Sequence, residues 1–444
     1  MHLTVLVSKL LKFFIPKNIE KIAKDTGFMK RHSKILPTTI AKALTFGLLG
    51  EDNITEEAIA LKCSHLQNGL SVTKQAIKNK LKGAVPFLKQ LLVESFKLVY
   101  SSLLGACLNP LLNFFDDIKL LDATTISLPD CVKETYKGLG GTNADAALKI
   151  QVVYSALTHA ITQLDLTSAV DHDATYLKNL KESLSNKELL LADLGYFDLS
   201  FLKSLEDSIF FISRIKTNTT FYECYSEKYN LFEQIALKDI LSSDATQIDR
   251  WIYLGKDPRK RLKVRIVGER LPDEVAKKRI QKALNTNNHK QLSEEKRLFL
   301  HWNLMITNVS EETLPVKVIL NLYRLRWQIE LLFKCLKSHL KFDKMNFGKV
   351  DYVEALLYGR LVATLLTMPI YNHLDQTMLQ TKGRGLSLQR FYRLLLVDLH
   401  ILYDFSKLTL QKERASVDFF QRIACLSLHE KRKNKTTMEQ LLRL

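Results

Sequence analysis

Glycine and proline are scarce, 16 Gly and 9 Pro in 444 residues, about half the usual combined share. That excludes collagen-like, proline-rich and low-complexity architectures. Cysteine is sparse as well: Cys63, Cys107, Cys131, Cys224, Cys335 and Cys425 stand far apart and form no Cys-x-x-Cys pair. Neither a disulfide framework nor a zinc ribbon is written in that spacing, and reduced thiols of a cytoplasmic protein are expected. Long apolar runs are missing too. Leu3–Ile15 is broken by Lys9 and Lys12, leaving no signal-peptide core, and Leu361–Tyr371 follows Arg360 and is too short to cross a bilayer. Acidic residues also run short, 47 against 65 Lys and Arg, for a net charge of +18. The excess of cations favours an anionic partner such as nucleic acid.

What is present changes character along the chain. Residues 1–110 carry apolar positions at three- and four-residue spacing and read as a helical domain. Within it, a helix over Ile54–His65, a turn at Asn68–Ser71 and a second helix over Thr73–Lys82 have the form of a helix-turn-helix. Lys74, Gln75, Lys78 and Asn79 on the second helix are residue types that reach phosphates and base edges from a major groove. An ordinary solvated helix pair reads equally well. From residue 111 to 216 short β-type runs take over, at Asp117–Asp122, Ala147–Ala156, Thr162–Val170, Glu188–Asp193 and Ile209–Lys216, with a helix over 173–185. Three neighbouring strands, a helix, then strand, helix and strand is the order of an RNase H-like α/β fold, although periodicity alone does not separate it from other α/β folds. Residues 217–312 read as a β-rich insertion, with strands at Trp251–Leu254, Leu262–Val267 and Leu298–Thr307. Residues 313–345 hold one long helix from about Leu314 to Lys341, and 346–444 read as a helical region, a candidate dimer interface, with a basic tail at Lys431–Lys435.

The long helix carries the strongest signal. At ~100° per residue, Tyr323, Arg326, Glu330 and Lys337 fall on one face, while Leu325, Ile329, Leu332, Phe333 and Leu336 share an adjoining apolar arc. A carboxylate between cations suits a group that holds metal while its neighbours hold phosphates. It also suits a surface helix laced with pairs such as Glu330 and Lys334. These four positions reproduce the Tyr-x2-Arg-x3-Glu-x6-Lys signature, and the chain resembles the insertion sequence 4 family of DDE transposases. The resemblance extends to Leu121-Asp122-Ala123-Thr124-Thr125-Ile126-Ser127-Leu128-Pro129, similar to the family's first-Asp block, and to Leu190-Leu191-Ala192-Asp193-Leu194-Gly195-Tyr196-Phe197, similar to the second. Phe210–Lys216 is similar to the strand that follows, which in relatives ends in an Arg near the active site. One departure is Leu194, where relatives commonly carry a basic residue.

The resemblance implies a metal-dependent polynucleotidyl transferase that cuts at element ends and joins them to target DNA, through a hairpin intermediate. Asp122, Asp193 and Glu330 would be the catalytic carboxylates and would hold two Mg²⁺, with Mn²⁺ as a substitute, Asp122 bridging the pair. In-line attack on a phosphodiester builds charge on the entering and leaving oxygens, and two ions ~3.5–4 Å apart stabilise both. Tyr323, Arg326, Lys337, Arg214 and Lys149 would contact DNA, although a solvated strand lysine reads equally well for Lys149. Trp302 stands where some relatives stack a flipped base, and core packing is its other reading. Double-stranded DNA, as terminal inverted repeats and target, is the implied partner. A homodimer is expected in the synaptic complex, because two ends are handled together, and a bacterial cytoplasm with nucleoid association is the expected location. Asp116, Asp117, Asp171, Asp173 and Asp198 read as turn or cap residues. Two rival functions are an RNase H-like nuclease without strand transfer and an inactive, transposase-derived DNA-binding protein.

Overall fold

The computed structural model describes residues 3–52, 54–100, 114–140, 144–157, 160–205, 208–229, 231–241, 245–286, 291–342, 349–399 and 410–429. Cys107 and the basic tail lie outside them. The chain forms two compact units. One comprises Met1–Gly105, Ala123–Asp171 and Ile329–Lys435; the other takes Ala106–Asp122, His172–Gln328 and Thr436–Leu444.

Ten strands form a mixed sheet: β1 (Asp117–Leu128), β2 (Ala146–Ser155), β3 (Ala160–Ser168), β4 (Glu188–Ala192), β5 (Phe210–Arg214), β6 (Phe221–Ser226), β7 (Leu231–Ile235), β8 (Gln247–Leu254), β9 (Leu262–Arg270) and β10 (Trp302–Thr307). Their order is β3-β2-β1-β4-β5-β10-β9-β8-β6-β7. The mixed α/β architecture, with β1, β2 and β3 followed by the Asp173–Ser183 helix, β4, the Leu199–Lys203 helix and β5, is the expected order of elements.

The unit containing the N-terminus is mostly helical. Thr55 and Thr73 cap the Glu56–Leu66 and Lys74–Leu81 helices by accepting from the main-chain N–H groups of Ala58 and Ala76. Around them lie the Pro37–Leu44 and Ala84–Tyr100 helices and a 33-residue helix, Val350–Lys382. The last corrects the reading of Leu361–Tyr371 as a short apolar piece. It is long and apolar enough to cross a membrane by composition, but 94% of its apolar window is buried within the protein, as expected of a helix hydrophobic all round. β2 and β3 pair antiparallel in this unit, Leu148 opposite Ser168 through Ser155 opposite Ala160.

In the second unit β1, β4 and β5 run parallel, with Asp117 opposite Glu188, Leu121 opposite Ala192 and Ala192 opposite Ser213. Leu189, Leu190 and Leu191 are all buried, the continuous apolar run typical of a strand covered on both faces. β10 pairs antiparallel with both β5 and β9, so the strands of residues 221–270 extend the same sheet. β6 and β7 were not anticipated from sequence. Leu298–Leu300 belongs to the Glu294–Leu300 helix, whose N-cap Ser293 accepts from Lys296 N–H, and only Trp302 onward is strand.

Two corrections bear on function. β1 continues six residues past Asp122, to Leu128, so Asp122 lies inside a strand and directly follows the stretch paired with β4. The expected long helix is interrupted: Val316–Leu322 is α-helical, Tyr323–Arg326 is a 3-10 turn, and the α-helix resumes over Trp327–Ser338. In a 3-10 turn residues i and i+3 eclipse, so Tyr323 and Arg326 point the same way rather than ~60° apart.

Candidate active site

Two aspartates meet at the end of the parallel pairing. Leu121 and Ala192 are the last registered partners of β1 and β4, so Asp122 and Asp193 follow them on neighbouring strands ~4.8 Å apart. Arg326 engages both. Its Nη1 donates to Asp122 Oδ2 at 2.6 Å, and its Nε lies 3.7 Å from Asp193 Oδ1. The side chains are 14% exposed for Arg326, 15% for Asp122 and 37% for Asp193, so the pair is shielded but open on the Asp193 side.

The eclipsed Tyr323 completes the arrangement. Its hydroxyl donates to Ala192 O at 3.3 Å and lies 3.5 Å from Asp193 Oδ1, tying the turn to the end of β4. Burial pushes the hydroxyl pKa up to about 12, against the opposing pull of Arg214, so the phenol stays protonated and remains a donor. The guanidiniums of Arg214 and Arg326 lie 5.5 and 5.9 Å from its ring centroid, within cation–π range.

Other groups at this place were not singled out from sequence. Tyr196 is buried, and its pKa is raised by burial and then by Asp173, Asp122, Tyr176 and Asp193, which marks one acidic neighbourhood. A Cβ on Gly195 would sit 2.7 Å from Asp173 Oδ2, so the glycine admits that carboxylate. Arg279 donates to Trp302 O at 3.2 Å, and its pKa is lowered by burial and by Arg214. The signal for Tyr196 lay in the second acidic block itself; an inserted helix gave none for Arg279.

Glu330 is half-buried in the first turn of the Trp327–Ser338 helix, and Lys337 half-buried in its last. Among the described residues no group of three or more His, Cys, Asp or Glu lies close enough to hold a metal ion; the structure gathers Asp122 and Asp193, with Arg326 as the third member. Two hard carboxylates side by side where the pairing of β1 with β4 stops are nonetheless the donor chemistry a divalent cation prefers. Lys149 Nζ donates to Asp171 O at 2.6 Å. Trp302, the first residue of β10, is buried at 2% exposed. Lys74 pairs with Glu57 at 2.7 Å, Lys78 with Glu56 at 3.9 Å, and Gln75 with Asn79 at 3.4 Å. Among the lesser acids, Asp198 caps the Leu199–Lys203 helix and Asp171 closes a turn onto Ser168 N–H. Asp117 does neither: it is buried and paired to Lys119 at 2.7 Å.

The Transposase DDE domain family matches residues 113–366, which takes in both aspartates, the 3-10 turn and Glu330. The chain belongs to the DDE transposases. It is 33% identical over 373 residues to the transposase of insertion sequence element IS1151 from Clostridium perfringens, covering 79% of this chain and 77% of that one. To the transposase of IS231C from Bacillus thuringiensis subsp. berliner it is 27% identical over 424 residues, covering 90% and 87%. Among solved structures it is similar to the piggyBac transposase synaptic complex with hairpin DNA, at a TM-score of 0.43 and 11% identity, covering 97% of this chain and 84% of that one. This last likeness is remote, and the sequence matches carry the assignment. The transposase is therefore a DNA-acting polynucleotidyl transferase, and its family implies dependence on a divalent metal.

Proposed function

We propose that the transposase carries out cut-and-paste transposition: it binds the terminal inverted repeats, nicks them, forms and opens a hairpin on each end, and joins the 3′ ends to target DNA. The observation that carries this reading is that Asp122 and Asp193 each directly follow the last registered pair of β1 and β4, Leu121 and Ala192, with Arg326 beside both. Glu330, four residues beyond Arg326, is the third carboxylate by its place in the signature.

Asp122, Asp193 and Glu330 would hold two Mg²⁺, or Mn²⁺, which supply charge neutralisation at the attacking and leaving oxygens. The protein's own groups do the rest. Arg326 keeps the aspartates oriented and, being a fork of donors, can exchange a carboxylate for a DNA phosphate of the same geometry. Tyr323 stays neutral and fixes the end of β4. Arg214, Lys337 and Lys149 line the backbone of the bound end, and Lys74, Gln75, Lys78 and Asn79 read the repeat from the second helix of the N-terminal pair. The Lys74 pair is exposed and the Lys78 pair is half-open through its lysine, so solvent screening leaves both weak enough to give up for phosphate. A homodimer would synapse the two ends, in the cytoplasm where the nucleoid is reached.

Incubating the protein with labelled element-end DNA and Mg²⁺ or Mn²⁺ tests the reading. Nicked, hairpin and joined products are expected, and all three disappear in Asp122→Asn and Glu330→Gln while DNA binding persists. Cleavage without any joined product identifies a nuclease instead.

A further inference from the structure

The Glu330 helix and the N-terminal helices are tied together by one buried cation. Arg360 is fully buried in the Val350–Lys382 helix. Its Nη2 donates to Glu51 O at 2.9 Å and its Nη1 donates to Lys341 O. Both acceptors are main-chain carbonyls. Glu51 leads into the Glu56–Leu66 helix and pairs through its side chain with Lys62 at 3.7 Å. Lys341 follows the Trp327–Ser338 helix, with φ +55 and the bonds Leu340 N–H to Cys335 O and Phe342 N–H to Leu336 O, each 3.2 Å, closing the helix around it.

Several independent features converge on this joint. A Cβ on Gly359 would strike the Leu44 carbonyl, so the neighbouring glycine lets the long helix lie directly on the end of Pro37–Leu44. Gly50, with φ +81, faces His339 O, and Lys341 Nζ reaches Asp52 Oδ1 at 3.2 Å. Eight residues before Arg360, the Tyr352 hydroxyl donates to Lys78 O at 3.1 Å, on the second helix of the N-terminal pair. The long helix therefore holds the second helix of that pair, the segment before the first, and the end of the Glu330 helix at once.

Burying a guanidinium is expensive, and an apolar side chain of similar volume commonly packs at lower cost. What an arginine adds is direction: two bonds to carbonyls from segments far apart in sequence, which no apolar group can make. We propose that Arg360 is a positioning residue for Glu330, setting the axial and angular place of the Trp327–Ser338 helix against the N-terminal helices. It touches neither DNA nor the reacting atoms. Because an α-helix transmits displacement along its axis, loosening Lys341 shifts Glu330, and a misplacement of ~1 Å at a reacting centre is worth ~100-fold in rate. The link to catalysis rests on the function proposed for Glu330; the mechanical link does not.

The test compares full-length protein with Arg360→Lys and Arg360→Gln. Nitroxides are placed at Leu61→Cys and Lys334→Cys, both exposed, with the accessible native cysteines replaced by serine. Their distance distribution is read by pulsed electron resonance, and Mn²⁺ affinity in the complex with element-end DNA is read from the free-ion signal. A narrow distribution is expected in the parent and a broadened one in both variants. Mn²⁺ affinity falls about tenfold, and single-turnover cleavage falls about 100-fold, with end-DNA binding unchanged. An unaltered distribution and unaltered Mn²⁺ affinity in the folded variants overturn the proposal, even if thermal stability drops, because that pattern belongs to a merely structural arginine. Glu330→Gln separates the two readings: it should keep the parent distribution and lose Mn²⁺ affinity. If it binds Mn²⁺ like the parent, the assignment of Glu330 fails while the distances still decide the role of Arg360.

Discussion

Replacing Lys119 by Met should destabilise the transposase more than any surface change, because Lys119 neutralises two buried carboxylates. Lys119 is 3% exposed, Asp117 9% and Glu188 6%. The ammonium lies 2.7 Å from Asp117 Oδ2 and 3.5 Å from Glu188 Oε1. Asp117 and Glu188 are themselves registered partners of β1 and β4, and each stands five residues before a candidate catalytic aspartate. The cluster therefore pins one end of the pairing whose other end aligns Asp122 with Asp193, and a slip of one residue would turn every side chain of a strand to the opposite face. Removing one partner of a buried ion pair costs about 3–5 kcal/mol, whereas replacing all members by neutral groups of like volume is often near neutral. Urea denaturation followed by circular dichroism should show that loss for Lys119→Met, and recovery of most of it in Asp117→Asn/Lys119→Met/Glu188→Gln. The pH dependence has a definite sign. Burial raises the Glu188 pKa above the ordinary carboxylate value, so the folded state binds the proton more readily than the unfolded one. Stability from this group is thus present at low pH and lost as pH rises through the folded pKa. Without Lys119 the shift grows, and the deficit of the mutant should shrink as pH is lowered into the carboxylate range. A loss below about 1 kcal/mol, within the spread of ordinary surface changes, or a deficit that does not vary with pH, would refute the argument.

Arg265→Met should also cost about 3–5 kcal/mol by chemical denaturation, since fully buried Arg265 meets both oxygens of Asp249 at 2.6 Å and donates to Leu314 O at 2.7 Å; Arg265→Met/Asp249→Leu should recover much of it. Tyr323→Phe should lower single-turnover cleavage about tenfold through loss of the bond to the end of β4. The shape of its pH profile between 6 and 9 should match the parent, because a phenol with its pKa pushed up to about 12 does not titrate there.

How far the sequence reached follows from which forces are local. The helix pair around residues 55–81 was readable because Thr55 and Thr73 carry their caps on their own side chains, and β4 because Leu189–Leu191 is apolar throughout. The two aspartates were readable as carboxylates closing such runs. The end of β1 was not, because the polar Thr124, Thr125 and Ser127 conceal a strand held by its neighbours. β6 and β7 are short and mix aromatics with Glu223 and Glu233, one of which meets Arg250 at 2.7 Å, so no clean alternation announced them. The 3-10 turn escaped detection because helical arithmetic assumes a constant ~100° per residue, and the turn is held by Tyr323 and Arg326 reaching residues about 130 and 200 positions away, 192 and 122.

The sequence alone determined which chemistry is carried: the acidic blocks at Asp122 and Asp193, the spaced Tyr323, Arg326, Glu330 and Lys337, the excess of cations, and the apolar periodicities that make the elements form. Tertiary structure alone decided that Arg326 bridges the two aspartates, that Trp302 is packed away, and that Lys119, Arg265 and Arg360 are interior charges holding distant segments. The reason is that burial and ion pairing depend on residues brought together from separate stretches of chain, whereas propensity, capping and spacing act within a few residues of one another.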